Sequence, residues 1–283
     1  MTRKGSEDMG GRDISVTVNE KPCRIAPGVT LGELGKRMKP GADILLRNGF
    51  PCSGDSLLED GDQVVFIQRG EIPTADELES LMAARHTPGV HARLKQGIVG
   101  IAGLGGLGST VAAALARVGV GTLILADFDV VEPSNLNRQQ YDIGHIGMPK
   151  TAAITAVLNR INPYLTIQTH PIVLDRSNIP TIFRDVAVLI ECFDRADQKA
   201  MLIESASEGL PDAFVIGGSG MAGFGDSNRI QTTRMGKKIF ICGDLTTAVA
   251  PGRGLMAPRV GIAACHQANL AVDLIVDPGN IAL

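Results

Sequence analysis

The chain has 283 residues, 44% of them hydrophobic, and a formal net charge of -3 at pH 7. That is enough apolar material for one large core and a smaller second one. The charge argues against nucleic acid as the main partner, because binding a phosphate backbone rests on a basic surface. The first residues are polar and no apolar run reaches membrane length, so no signal peptide or membrane partner is expected, and the expected location is cytoplasmic.

Residues 1–12 are polar and read as a disordered N-terminus. From 13 to 70 the signals are those of a small β-grasp pattern. Ile14, Val16 and Val18 alternate with polar residues, Asn19-Glu20 offers a turn, and Cys23 and Ile25 belong to a returning strand. Thr30-Leu31-Gly32-Glu33 is a capping box, after which Leu34 and Met38 keep helical spacing. Ile44-Leu45-Leu46 ends at the turn pair Asn48-Gly49, and Asp60-Gly61 precedes the apolar run 64–67.

Residues 71–96 read as a helical connector. Pro73-Thr74-Ala75-Asp76-Glu77 opens a helix with a second capping box, Leu78, Leu81 and Met82 form its apolar edge, and His86-Thr87-Pro88-Gly89 ends it.

From 97 to 283 apolar strands alternate with helices, the rhythm of a mostly parallel sheet covered on both faces. Residues 98–102 form a buried-strand run, 107–118 an Ala-rich helix, and 122–126 the next strand. Between the first two lies Gly103-Leu104-Gly105-Gly106-Leu107-Gly108. Glycines there permit a tight turn and let phosphate meet amides at a helix start, and Asp127, at a strand end, is positioned to accept ribose hydroxyls. A helix-packing turn that binds nothing is the competing reading. The alternation continues at 152–161, 165–169, 186–190 and 213–216, and Asp194 follows the third of these runs toward the same sheet edge as Asp127. A helix N-cap is the other role open to Asp194.

A nicotinamide enzyme holds its pyrophosphate largely by backbone amides, whereas a triphosphate that must lose pyrophosphate calls for fixed cations. Arg138 offers a planar fork and Lys150 a point charge for that purpose. Taken singly, each is as readily a solvated surface residue.

The run from Gly103 to Lys150 resembles the adenylation domain of the ThiF/MoeB and ubiquitin-activating (E1-like) enzymes. Their pattern is a GxGGLG turn, GVGxLxLxDxDxVExSNLxRQ, and a lysine after Gly-x-Pro. Gly119-Val120-Gly121, Val131-Glu132-Pro133-Ser134, Asn135 to Gln139 and Met148-Pro149-Lys150 fit it. Weaker similarity through Ile161-Asn162-Pro163, Cys192-Phe193-Asp194 and Met256-Ala257-Pro258 extends it over about residues 85–275. The resemblance implies an α/β, Rossmann-like E1 adenylation domain that uses ATP and Mg2+. It implies that Gly103, Gly105, Gly106 and Gly108 shape the nucleotide turn, with Gly106 lining the nucleotide, and that Asp127 holds ribose. Asn135, Arg138 and Lys150 would contact the phosphates, Asp129 belongs to the same motif, and Asp194 matches the magnesium acid. Arg138, Lys150 and Asp194 are thus the candidate catalytic residues. Arg195 replaces the asparagine that usually follows the magnesium acid; it either alters the contacts there or adds a phosphate cation. Arg85 matches an arginine that the family sends to the triphosphate from a neighbouring subunit, or is a helix-end cation. A homodimer is implied by the family alone.

Residues 13–70 look like ThiS and the other ubiquitin-like sulfur carriers, through Val18-Asn19, Asn48-Gly49 and Leu58-Glu59-Asp60-Gly61-Asp62. Such carriers end in a free Gly-Gly, whereas this segment runs on into Arg69-Gly70-Glu71-Ile72 and cannot be adenylated there. A docking or regulatory module and an inherited packing domain are both open readings.

Cys23, Cys52, Cys192, Cys242 and Cys265 contain no C-x-x-C pair, so reduced thiols are expected. Many ThiF/MoeB relatives hold a structural zinc with two such pairs; without four ligands no zinc site is expected. The cysteine that several relatives link covalently to the carrier is replaced near Ala250. Cys242 substitutes only if its loop folds over the site, since a strand-end apolar cysteine is otherwise inert. The loop 217–225 is glycine-rich and reads either as a flexible connection or as a groove for the carrier's tail.

The expected reaction is acyl-adenylation of a ThiS-like carrier ending in Gly-Gly; similarity to ThiF makes thiamine thiazole synthesis the leading pathway, with molybdopterin or another sulfur-transfer route as the alternatives. Its nucleophile is already an anion, so no catalytic histidine is required. Two other readings stand beside it: a non-catalytic nucleotide-binding protein, and an NAD-dependent oxidoreductase, which leaves Arg138 and Lys150 unexplained.

Overall fold

The alternation at the start of the chain becomes a hairpin. β1 (Ile14–Val18) and β2 (Lys21–Ile25) pair antiparallel, with Ile14 opposite Ile25 and Val18 opposite Lys21. Asn19 and Glu20 between them lie at φ 45° and 66°, the left-handed backbone that a two-residue hairpin turn demands. These observations come from a computed structural model, which describes residues 12–281. The N-terminus expected to be disordered, 1–12, lies outside the described residues except for Arg12.

α1 (Leu31–Met38) begins at the expected capping box: Glu33 N–H donates to Thr30 Oγ1, and Thr30 N–H donates back to the Glu33 carboxylate. β3 (Ile44–Arg47) and β4 (Phe50–Pro51) turn at Asn48-Gly49, and β5 (Gln63–Ile67) runs parallel to β1 in the middle of the sheet. The order is β2-β1-β5-β3-β4. Leu31 and Leu34 of α1 share a core with Val16, Val18, Val64 and Phe66. This is the β-grasp arrangement. Past β5 the chain turns at Gly70 and continues into α2 (Ala75–His86), which has its own Thr74/Glu77 capping box.

The chain divides into two compact units between Thr87 and Pro88. The segment 71–96, expected as one connector, is therefore split. Thr87 lies at φ 67° and interrupts the helical run. α3 (Pro88–Gln96), which follows, belongs to the second unit: Leu94 is buried in that core, and its carbonyl accepts the N–H groups of Gly97 and Gly121.

The second unit continues with β6 (Ile98–Ala102), α4 (Gly106–Arg117), β7 (Thr122–Ala126), α5 (Lys150–Ile161) and β8 (Thr166–His170). Next come α6 (Ile179–Ile182), β9 (Val188–Glu191), α7 (Ala196–Gly209), β10 (Phe214–Gly218), β11 (Gln231–Arg234), β12 (Ile239–Gly243) and α8 (Ala257–Val276). The sheet order is β11-β12-β10-β9-β6-β7-β8. All neighbours are parallel except the edge strand β11, which runs antiparallel to β12.

Alternate residues of the strands feed two cores. Val99, Ile101, Leu123 and Leu125 pack with residues of α4, α5 and α8. Ile124, Ala126, Leu189 and Val215 pack with residues of α6 and α7. Strands buried on both faces explain why they read as continuous apolar runs. From β6 the chain first builds outward through β7 and β8, then returns to build the other side from β9. A crevice therefore opens at the carboxyl ends beside β6, where open α/β sheets bind ligands. No helix among the described residues is long and apolar enough to cross a membrane.

Candidate functional site

At that edge of the second unit lies a cavity of about 940 Å³. Its lining includes Gly103, Gly105, Gly106, Asp127, Asp129, Asn135, Arg138, Lys150, Asp194 and Arg195. Gly108 does not line it. Its role is steric: a Cβ there would stand 1.9 Å from the Gly103 carbonyl oxygen. Gly103 itself lies at φ 90°, so the two glycines together close the turn that leads into α4.

Asp127 directly follows β7 and is the hub of the turn. Its Oδ2 accepts the Leu104 N–H at 2.6 Å and its Oδ1 the Asp129 N–H at 2.8 Å. Lys150, the first residue of α5, donates from Nζ to Asp129 Oδ2 at 2.8 Å and stands 4.0 Å from Asp127 Oδ2. The backbone brings the lysine there: Lys150 N–H donates to the Asp129 carbonyl, and Val130 pairs with Pro149. Burial pushes the Asp127 carboxyl upward, against the pull of Lys150 and the two amides. Tyr141 braces the same turn, its hydroxyl donating to the Leu104 carbonyl at 2.8 Å.

Arg138 follows the 3-10 turn Pro133–Asn137. Its guanidinium donates to neutral oxygens, the Ser134 carbonyl at 3.3 Å and Asn137 Oδ1 at 2.7 Å. Asn135 is buried and accepts the Glu132 N–H at 3.1 Å through Oδ1. It shapes the turn that carries Arg138 as well as facing the cavity.

Asp194 is exposed between β9 and α7. Arg195 beside it is engaged by Asp197 through two hydrogen bonds, at 3.1 and 2.7 Å. That pair is on the surface, 68% and 61% exposed, and Arg195 lines the cavity beside Asp194. Arg85, in the first unit, is 80% exposed and 3.6 Å from Glu20.

The cysteines resolve differently from one another. Cys242 has no exposed surface, contacts Thr232 Oγ1 at 3.6 Å, and does not line the cavity. Burial pushes its thiol up to about 11. It is not positioned to attack a substrate, because β12 turns its side chain into the core. Cys192 does line the cavity, buried, with its thiol donating to Gln267 Oε1 at 3.9 Å. The loop 217–225 is held to its neighbours by backbone hydrogen bonds. Ser219 N–H donates to the Cys242 carbonyl, Asp244 N–H to Gly220, and Gly223 N–H to Gly254.

Sequence reasoning missed a charged pair at the cavity. Glu191, the last residue of β9, is 1% exposed and meets Lys199 Nζ at 3.0 and 3.1 Å. It also accepts the Phe193 N–H at 2.6 Å and the Gly218 N–H at 3.4 Å, so it ties the Asp194 loop to β10. Burial raises its carboxyl, with Lys199 opposing. An acid closing an otherwise apolar strand was the one available signal.

Residues 79–283 match the ThiF family, and residues 14–70 match ThiS-like ubiquitin. The molybdopterin-synthase adenylyltransferase of Haemophilus influenzae is 32% identical over 203 residues, 66% of this chain and 78% of that protein. The adenylyltransferase and sulfurtransferase UBA4 of Kluyveromyces lactis is 35% identical over 146 residues, 51% of this chain. The match spans only 29% of that relative's length. Among solved structures, the tRNA N6-threonylcarbamoyladenosine dehydratase TcdA of E. coli, in complex with ATP, has a TM-score of 0.64 at 19% identity. It covers 72% of this chain and 97% of its own, a likeness that bears on fold alone. Because the ThiF match takes in well over half of the chain and the entire lining of the cavity, the protein belongs to the ThiF family, with a ThiS-like ubiquitin segment in its N-terminal unit.

Proposed function

We propose that this chain is an ATP-dependent adenylyltransferase that activates the terminal glycine carboxylate of a ThiS-like sulfur carrier ending in Gly-Gly. The pathway we propose is thiamine thiazole synthesis, and the working unit a homodimer. The observation that carries the reading is the joint presence, in one cavity, of the glycine turn, a ribose-suited acid and two cations from farther along the chain. The adenylyltransferase named among the relatives supports it.

In this reading ATP lies along the turn from Gly103 to Gly108, with its ribose hydroxyls on Asp127. Two backbone N–H bonds leave that carboxylate with lone pairs to spare. The carrier's carboxylate attacks the α-phosphorus, the bond to the bridging oxygen breaks, and pyrophosphate leaves with the electron pair. No base is needed. Lys150, released from Asp129, and Arg138 balance the charge that develops on the departing group.

Magnesium is suited to this site. Asp194 presents an exposed carboxylate without a described side-chain partner, and this ion is ordinarily held by one or two carboxylates together with substrate phosphates. When bound it would offset charge on the phosphate oxygens.

The test is ATP–pyrophosphate exchange with a purified ThiS-like carrier, intact and lacking its last glycine. Exchange should require the intact tail. Exchange indifferent to the tail removes the proposed substrate; ATP binding without exchange supports the non-catalytic reading instead.

A further inference from the structure

The part of the cavity nearest β10 and β12 is lined by Gly218, Ser219, Gly220, Thr247, Ala248 and Val249, all small or uncharged. A buried ion pair fastens this wall at its β12 side. Arg259, in the first turn of α8, donates from Nη2 to Asp244 Oδ2 at 2.6 Å, with the two side chains 5% and 1% exposed. Its Nη1 donates to the Asp226 carbonyl at 3.2 Å and to the Gly225 carbonyl.

Asp244 collects the other half of the network. It accepts the N–H groups of Thr246 and Thr247 at 2.9 and 2.7 Å, together with the Thr247 hydroxyl. Burial alone would raise its carboxyl, but the Thr247 hydroxyl and amide, the Thr246 amide and Arg259 outweigh it and hold it far below the usual range. The loop after β10 packs onto the same carboxylate, since a Cβ on Gly220 would stand 2.2 Å from Asp244 Oδ1. Three segments that are far apart in sequence, 219–226, 244–249 and the start of α8, thus converge on one pair of opposite charges.

On the adenylation reading, on which this inference rests, ATP occupies the β6 and β7 side, and the acceptor carboxylate must come from the β10 side. We propose that Arg259 and Asp244 are positioning residues for the acceptor, fixing the two loops between which the carrier's extended tail lies in line with the α-phosphate. Neither side chain bonds the nucleotide turn, Asp127, Arg138 or Lys150. Loosening the pair therefore misplaces the incoming carboxylate and leaves ATP where it is. A misplacement near 1 Å costs on the order of a hundredfold in rate.

The experiment measures ATP–pyrophosphate exchange with the carrier on the full chain carrying Asp244→Asn or Arg259→Lys. Asparagine keeps the shape of the acid without its charge; lysine keeps the charge but lacks the fork that reaches several oxygens at once. Each variant should lose roughly ten- to hundredfold in kcat/KM for the carrier, while KM for ATP stays within about twofold of wild type. Amide hydrogen exchange should quicken at 219–226 and 244–249 and stay unchanged at 103–108. If carrier kinetics are unaltered in both variants, or the affinities for ATP and carrier fall in parallel, the pair is merely structural and the proposal is overturned. A wild-type chain that exchanges with no carrier overturns the adenylation reading itself, and this one with it.

Discussion

Methionine at position 150 keeps most of the lysine stem and removes the ammonium, which separates two effects. In the folded chain that ammonium is 2.8 Å from Asp129 and 4.0 Å from Asp127, on a side chain 8% exposed. For the reaction, losing a fixed donor that stabilises departing charge costs about 10²- to 10³-fold in rate, roughly 2.7–4 kcal/mol. For the fold, two unit charges at 4 Å are worth about 4 kcal/mol at an effective dielectric of 20. Desolvation cancels much of this. The net stability loss from leaving Asp127 without its cation is on the order of 1–3 kcal/mol, less than the stability of an ordinary domain.

The loss also has a direction in pH. Burial already raises the Asp127 carboxyl and Lys150 is the largest influence pulling it down, so Lys150→Met raises it further. A buried acid with a raised pKa contributes stability at low pH that is lost as pH climbs through its folded value. The variant's deficit should therefore be smallest below the ordinary aspartate range, about 3.9, and widen toward neutral pH. Pyrophosphate exchange and urea unfolding at about pH 5 and about pH 8 measure the two effects. Exchange within about threefold of wild type would refute the assigned role of the ammonium. A stability gap that narrows as pH rises would refute the electrostatics.

Gly108→Ala puts a methyl 1.9 Å from the Gly103 carbonyl. It should destabilise by about 1–3 kcal/mol and abolish ATP binding by calorimetry, whereas Gly105→Ala, with no atom nearer than 3.9 Å, should fold normally. Glu191 is raised by burial, so wild-type stability should decline as pH rises above the ordinary glutamate range, about 4.3. Glu191→Gln removes that titration and should flatten the decline in unfolding experiments; an unchanged slope rejects the assignment. Thr30→Ala removes the cap of α1 and should cost about 1 kcal/mol, seen as faster amide exchange across Leu31–Met38, and protection equal to wild type would contradict it.

What the chain's own residues determined was local or carried by a compact motif. Thr30 with Glu33, and Asn48 with Gly49, specify a helix start and a hairpin within four residues, because the groups that satisfy each other are neighbours in sequence. The segment from Gly103 to Lys150 was legible for a related reason: strand, turn and strand follow in short order, and Asp127 and Lys150 meet across one crossover. Burial and long-range pairing were not legible. Leu94 assigns α3 to the second unit only through the core it enters. Cys242 has the same thiol as any cysteine until β12 buries it. The pairings of Glu191, Asp244 and Arg259 were not legible, because their partners come from other elements of the fold. Tertiary structure alone decided their role, since a charge survives in the interior only where the fold supplies its counter-charge and hydrogen bonds.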